Sequence, residues 1–130
     1  MLIKGIIHAQ LAAALATLRH TDLFGISDSG FPTGKGTQVI DLAIVYGLPS
    51  FDRVLDAILS EVVVEKAIMA NETDVHNPAQ ANRIRSHFAD VVSVSHDELK
   101  TMATDARFVV RTGDATPYSN VLLRAGVAFS

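Results

Sequence analysis

The stretch SFDRVLDAILSEVVVEKAIMA, residues 50–70, decides the fold class. Ser50 is a hydroxyl residue placed to cap a helix, and Phe51, Val54, Leu55, Ile58, Leu59 and Val62 follow on one face at helical spacing. This is the clearest periodic signal in the chain. The next run, VVVEKAIMA, loses that period and is rich in β-branched residues, so it reads as a strand; its join with the helix is ambiguous at Val62. An amphipathic helix feeding a buried strand is the repeating unit of an α/β layer structure.

The same alternation extends both ways. Upstream, HAQLAAALATL (8–18) is rich in Ala and Leu and predicts a helix. LFGIS (23–27) is a short apolar run ending at Asp28 and Gly30, hence a buried strand. FPTGKGTQ is a Gly/Pro loop, QVIDLAIV a second strand and YGLPS another loop. Downstream, Asn77 before Pro78 marks the start of a helix that runs to Phe88. VVSV is a short strand, and Ser95-His96-Asp97-Glu98 is a capping box opening a helix to Ala103. RFVVRT and VLLRAGVAF are strands flanking the loop GDATPYSN. The order is helix, strand, strand, helix, strand, helix, strand, helix, strand, strand. It predicts a single α/β domain over 1–130, with a largely parallel sheet flanked by helices in Rossmann-like layering.

Composition agrees and narrows the function classes. The chain has 130 residues, 48% of them hydrophobic, with few aromatics and no Trp. A formal charge of -3 with scattered basic residues gives no nucleic-acid patch and no polybasic membrane segment. No apolar run approaches spanning length, and MLIKGII lacks the features of a signal peptide. The absence of cysteine excludes disulfides, thiolate chemistry and cysteine metal sites. A cytoplasmic location is the default expectation.

Candidate chemistry gathers at the two ends of the chain. In LRHTDLFGISDSG (18–30), Asp28 stands where a strand meets a glycine loop, the usual ligand position in α/β sheets. His20 precedes that strand, with Asp22 two residues on. His96 lies in the first turn of a capped helix, where the helix dipole favours a neutral, proton-accepting ring. Tyr118 and Asn120, in the last loop, carry a phenol and an amide that suit sugar hydroxyls. Each also has a plainer reading: cap or surface for His20, cap or turn for Asp22, loop-amide acceptor for Asp28, helix-start residue for His96, packed turn residue for Tyr118. His8, His76 and His87 have no motif around them and are assigned structural or surface roles. Spacings typical of metal ligands, a nucleophile elbow and a true phosphate loop are all missing; GFPTGKGT lacks the glycine spacing and the following helix. The residues alone stop at an α/β domain with a polar pocket.

Three blocks go further. RHTDLFGISDSGFP, VIDLAIVYGLPSF and RTGDATPYSNVLLRAGV, in order and at matching separations, resemble the ribose pyranase family of sugar mutarotases over nearly the whole chain; VSHDEL is a fourth, weaker anchor. The resemblance implies that His20 is the catalytic proton donor and that Asp28, His96, Tyr118, Ser119 and Asn120 bind the sugar. It implies D-ribose as substrate, interconversion of pyranose and furanose forms, no cofactor, and a homodecamer of two stacked pentameric rings with the cleft shared between neighbouring subunits. Either Asp22 or Asp28 could supply a carboxylate to His20. The alternatives are exchange of L-fucose or another sugar, or a non-catalytic sugar-binding partner of a transporter or kinase. Several positions depart from the family pattern. Arg19 replaces a usual glycine beside His20, which costs strain if that backbone is left-handed. Ser29 and Phe31 replace Ala and Leu, Asp114 replaces Glu, and His8 and Ala9 replace Asn-Ser. Phe31 before Pro32 is similar to the related fucose mutarotases.

Overall fold

The computed structural model describes residues 1–130. Its elements are α1 (Ala9–Ala16), β1 (Leu23–Ser27), β2 (Val39–Asp41), α2 (Phe51–Leu59), β3 (Val64–Ala70), α3 (Asn71–His76), α4 (Pro78–His87), β4 (Val91–Val94), α5 (His96–Ala103), β5 (Val109–Arg111) and β6 (Val121–Ala125). The strands form one sheet in the order β2-β5-β1-β6-β3-β4. β6 is antiparallel to both of its neighbours, β1 and β3, while the other pairs are parallel. The largely parallel sheet is therefore a mixed one, split by a single reversed strand.

Side-chain alternation along the strands divides the core in two. Ala67, Met69, Val121 and Leu123 face one side, against Leu11, Leu15, Phe51, Leu55, Ile58 and Ile84 of α1, α2 and α4. Ile68, Ala70 and Leu122 face the other, against Leu99 and Ala103 of α5. The helices are distributed unevenly, and α5 alone covers much of the second face. The strong period of residues 50–62 is explained: Phe51, Val54, Leu55 and Ile58 are buried, each contributing about 1.5–3 kcal/mol of transfer free energy.

The caps form as the sequence predicts. Ser50 accepts from the Arg53 amide at 3.3 Å, and Ser95 from the Glu98 amide at 3.1 Å. The Asn77 side chain accepts from the Gln80 amide, and Pro78 opens α4. His8 caps α1, its Nδ1 accepting from the Leu11 amide at 3.1 Å.

Three expectations change. The second strand stops at Asp41, because the Asp41 carboxylate accepts from the Ala43 amide and turns the chain. Helix α3 was not foreseen. It starts on the last residue of β3 without a loop, its cap position is Ala70 with no side-chain bond, and only Thr73 of its six residues is buried, so it carries neither a cap nor a periodic signal. Arg19 is not strained. The left-handed residue beside His20 is Thr21, at φ 73°, and the Arg19 guanidinium instead donates to the carbonyls of Ala16, Thr17 and Leu18 at 3.1 Å, closing the end of α1.

Candidate active site

Where β1 ends, Ser27 hands the chain to Asp28 beside the loop that precedes β6. The two segments lock together. The Asp28 amide donates to Asn120 Oδ1 at 2.8 Å, Asn120 Nδ2 donates back to Asp28 Oδ2 at 3.2 Å, and the Gly30 amide donates to Asp28 Oδ1 at 3.0 Å. Burial pushes the Asp28 carboxyl above its ordinary value, although the Gly30 amide and the Asn120 side chain pull the other way. A raised carboxyl is a stronger base than an ordinary aspartate, which suits it to taking a hydroxyl proton.

His96 and Tyr118 complete this side. Their rings meet edge to face with centroids 5.0 Å apart, Phe31 stands edge-on to His96 at 5.8 Å, and His76 stacks on Tyr118 at 5.4 Å. Tyr118 is left-handed, at φ 55°, a conformation that clusters at ligand sites when its surroundings enforce it. Helix α3 and its C-cap Asn77 enforce it here: Thr73 Oγ1 donates to the Tyr118 carbonyl at 3.0 Å and Asn77 Nδ2 to the Pro117 carbonyl at 2.9 Å. Glu72 accepts from the His96 amide with both carboxylate oxygens, at 3.1 and 3.0 Å, and so ties α3 to α5. His96 Nδ1 is buried and has no hydrogen-bond partner. Asp28, Gly30, Phe31, Pro32, His96, Pro117, Tyr118 and Asn120 together line a cleft of about 310 Å³. Carboxylate, imidazole, phenol and amide converge there without a concentrated charge, an arrangement that can hydrogen-bond a neutral polyhydroxylated ligand.

Ser119 behaves differently from its neighbours. It is 0% exposed, and its hydroxyl bonds Thr116 Oγ1 at 2.7 Å and Asn77 Nδ2 at 3.3 Å. Its side chain holds the loop, and Ser119 does not line the cleft.

The base of this loop hangs on Asp114, whose carboxylate accepts from the Phe51 amide at 2.9 Å and from the amide and hydroxyl of Thr116 at 2.8 and 2.6 Å. Burial pushes the Asp114 carboxyl up, but the bonds from Thr116 and Phe51 outweigh it and hold the group below its ordinary value. A depressed carboxyl contributes stability above its unfolded-state value and loses it as pH falls through the folded-state value. Asp114→Asn is therefore expected to lower stability by about 1–3 kcal/mol at neutral pH. The gap from the parent begins to narrow below about pH 4, the usual aspartate value, and goes on narrowing as pH falls through the lower folded-state value. Thermal denaturation at pH 7 and pH 2.5 checks this; a gap that persists undiminished at the lower pH contradicts it.

His20 lies at the opposite end of β1. The five residues of β1 separate it from Asp28, so at roughly 3.3 Å per residue about 16 Å of strand lies between them. Within the single chain, Asp28, His96, Tyr118 and Asn120 come together and His20 does not join them. The carboxylate expected for His20 is also corrected. Asp22 Oδ2 accepts from the Arg19 amide at 2.8 Å and pairs with Arg107 at 3.3 Å, and Asp28 is at the far end of β1. The partner is Glu65, whose Oε2 lies 3.1 Å from His20 Nε2. Glu65 went unnoticed in the sequence because it is 45 residues away; its one signal was a lone carboxylate near the start of a buried strand.

Comparison with known proteins supports the fold. The chain is 51% identical to D-ribose pyranase 1 of Rubrobacter xylanophilus over 125 residues, covering 96% of this chain and 97% of that one. It superposes on Bacillus subtilis RbsD, solved in complex with D-ribose, with a TM-score of 0.95 at 40% identity, covering 99% of this chain and 100% of that one. FucU from Bifidobacterium longum is more distant, with a TM-score of 0.78 at 26% identity and coverage of 95% and 97%. The RbsD / FucU transport protein family matches residues 1–128, and with that agreement along nearly its whole length the chain belongs to this family.

Proposed function

We propose that this chain acts in the cytoplasm as a D-ribose pyranase, an isomerase that interconverts β-pyranose and furanose forms of D-ribose by general acid–base opening and closure of the hemiacetal. The observation that carries this reading is the near-complete superposition on the ribose-bound RbsD, with a polar cleft built from Asp28, His96, Tyr118 and Asn120. The greater likeness to RbsD than to FucU favours ribose over fucose.

The reaction needs two proton transfers and no redox step. An acid protonates the ring oxygen O5 while a base takes the proton of the anomeric hydroxyl. The C1–O5 bond breaks and the C1 carbonyl forms. The hydroxyl at C4 then adds to C1, loses its proton, and returns one to the carbonyl oxygen, which closes the five-membered ring. A barrier of about 20–22 kcal/mol describes such slow uncatalysed opening. One positioned acid–base group contributes roughly 10²–10⁴-fold, or about 3–5.5 kcal/mol, so the residues present are sufficient. In this scheme His20 relays the proton, taking it from a sugar hydroxyl and giving it to the ring oxygen, while Asp28 and His96 hold hydroxyls. Tyr118 and Asn120 orient the ring.

His20 reaches the cleft only if a second copy supplies it. A homodecamer of two stacked pentameric rings, with His20 of one subunit meeting the cleft of the next, answers that need. The exposed apolar surface supports association: Ile3, Ile7, Ile44, Val45, Tyr46 and Leu48 are open to solvent in the single chain. Part of this surface borders an apolar groove of about 670 Å³ between the amino-terminal segment, the 41–49 loop and α2, which shares no lining residue with the polar cleft.

Saturation-transfer NMR on D-ribose tests the reading. Purified protein is expected to speed transfer between the β-pyranose and furanose anomeric signals. Faster exchange on L-fucose than on ribose points to a fucose mutarotase. Saturable binding without any acceleration makes the chain a sugar-binding partner of a transporter or kinase.

A further inference from the structure

The histidine at the far end of β1 is held by a device of its own. Glu65 Oε2 meets His20 Nε2 at 3.1 Å, and Arg124 Nε donates to Glu65 Oε1 at 2.7 Å. The three residues come from the loop before β1, from β3 and from β6. Two backbone irregularities converge on them. The pairing of β3 with β6 slips between Val64, opposite Ala125, and Lys66, opposite Arg124, so Glu65 is the extra residue of a bulge. Bulges re-aim side chains and are frequent beside functional sites. Thr21, left-handed at φ 73°, pins the turn carrying His20 by donating its amide to the Ala125 carbonyl at 2.9 Å. The bond from His20 holds the Glu65 carboxyl below its ordinary value, with burial opposing it and the charge of Arg124 adding to it. Glu65 is thus an anion that accepts on both oxygens.

We infer that Glu65, clamped by Arg124, is the positioning residue for His20: it accepts the Nε2 proton and leaves Nδ1 as the atom presented to the sugar. This rests on the assignment of His20 as the proton-transferring residue. The nitrogen that works in proton transfer is set by the hydrogen bond its partner nitrogen makes, and a carboxylate is the acceptor that fixes it. Arg124 matters because its Nε–H can only donate. In Glu65→Gln the amide oxygen must therefore stay on Arg124, and the amide NH₂ faces His20 Nε2. The ring is then driven to the Nδ1–H tautomer, and its sugar-facing nitrogen can no longer accept a proton.

The test uses three variants of the full chain, with His20→Ala as reference. In long-range ¹H–¹⁵N spectra the parent is expected to protonate Nε2 of neutral His20, and Glu65→Gln to protonate Nδ1. By analogy with tautomer inversion in hydrolase triads, Glu65→Gln slows ribose exchange by about 10²-fold or more. The sugar concentration at half-saturation stays within about twofold, because the cleft residues are untouched. Glu65→Gln/Arg124→Leu frees the amide to turn its oxygen to His20; it restores the parent tautomer and recovers about tenfold or more of the lost rate. Glu65→Asp keeps the charge but withdraws from the ring, and the same loss is expected of it should Glu65→Gln fail to fold. An unchanged tautomer or an unchanged rate in Glu65→Gln overturns the inference, as does a double variant no faster than the single one. A different failure belongs to the underlying assignment: His20→Ala at the parent rate removes the role of His20, while the tautomer spectra still report on the Glu65 clamp.

Discussion

Replacing His20 with alanine is expected to slow ribose pyranose–furanose exchange by about 10²–10⁴-fold, the range supplied by one positioned acid–base group. The His20 side chain is 54% exposed and bonds only Glu65, so its removal leaves the core intact and the loss can be assigned to chemistry. Residual acceleration comes from the hydrogen bonds of the cleft, which the variant retains. Exchange at the parent rate in a folded variant removes His20 from the mechanism. The separation of His20 from Asp28 adds a sharper expectation. A His20→Ala subunit keeps its own cleft, whereas an Asp28→Asn subunit loses it, because the new amide NH₂ must face a donor, either Asn120 Nδ2 or the Gly30 amide. Each alone is expected to be slow. Unfolded together in equal amounts and reassembled, they restore about a quarter of the sites, namely the interfaces that pair an intact histidine with an intact cleft. Reassembly into mixed oligomers without recovery of exchange rules out a cleft shared between subunits.

Gly113→Ala is expected to produce the largest loss of stability. Gly113 follows β5 and sits against the turn that carries Val45 to Leu48. A Cβ built there falls 2.6 Å from the Val45 oxygen and the Leu48 carbonyl carbon, and closer still to the Leu48 oxygen. These are backbone atoms, which cannot swing aside as a flexible side chain can. The turn is also tied to Gly113, whose amide donates to the Pro49 carbonyl at 2.9 Å and whose carbonyl accepts from the Gly47 amide. One added methyl group thus forces apart two segments that hydrogen-bond each other. Overpacking of this kind costs about 1–3 kcal/mol and sometimes more, or a fall of roughly 5–15 °C in Tm at a fixed protomer concentration. The effect comes from space, since Gly113 is not among the left-handed residues. A Tm within about 2 °C of the parent contradicts the steric account. The site is expected to suffer as well, because Asp114 and the Tyr118 loop continue directly from this glycine.

Much of the local structure was legible in the residues. Ser50, Asn77 and Ser95 announce helix starts through a hydrogen bond made three residues away, and residues 51–62 announce a buried face through their period. Asp28, His96, Tyr118 and Asn120 were recognisable because a strand end, a capped helix start and a turn-rich loop are local patterns, and the resemblance joined them. Helix α3 was illegible, having neither cap nor period, yet it holds the site: Glu72 and Thr73 set the positions of His96 and Tyr118.

The sequence by itself determined the α/β alternation, the caps, the buried strands and the set of polar residues offered for chemistry, because each follows from interactions within a few residues. Only the tertiary structure decided that β6 enters reversed between β1 and β3, that Glu65 rather than Asp22 or Asp28 holds His20, and that His20 and the Asp28 cleft lie at opposite ends of the strands. Those outcomes depend on which distant strands pair and in what register, and pairing is settled by burial on both faces of the sheet at once, which no local run of residues encodes.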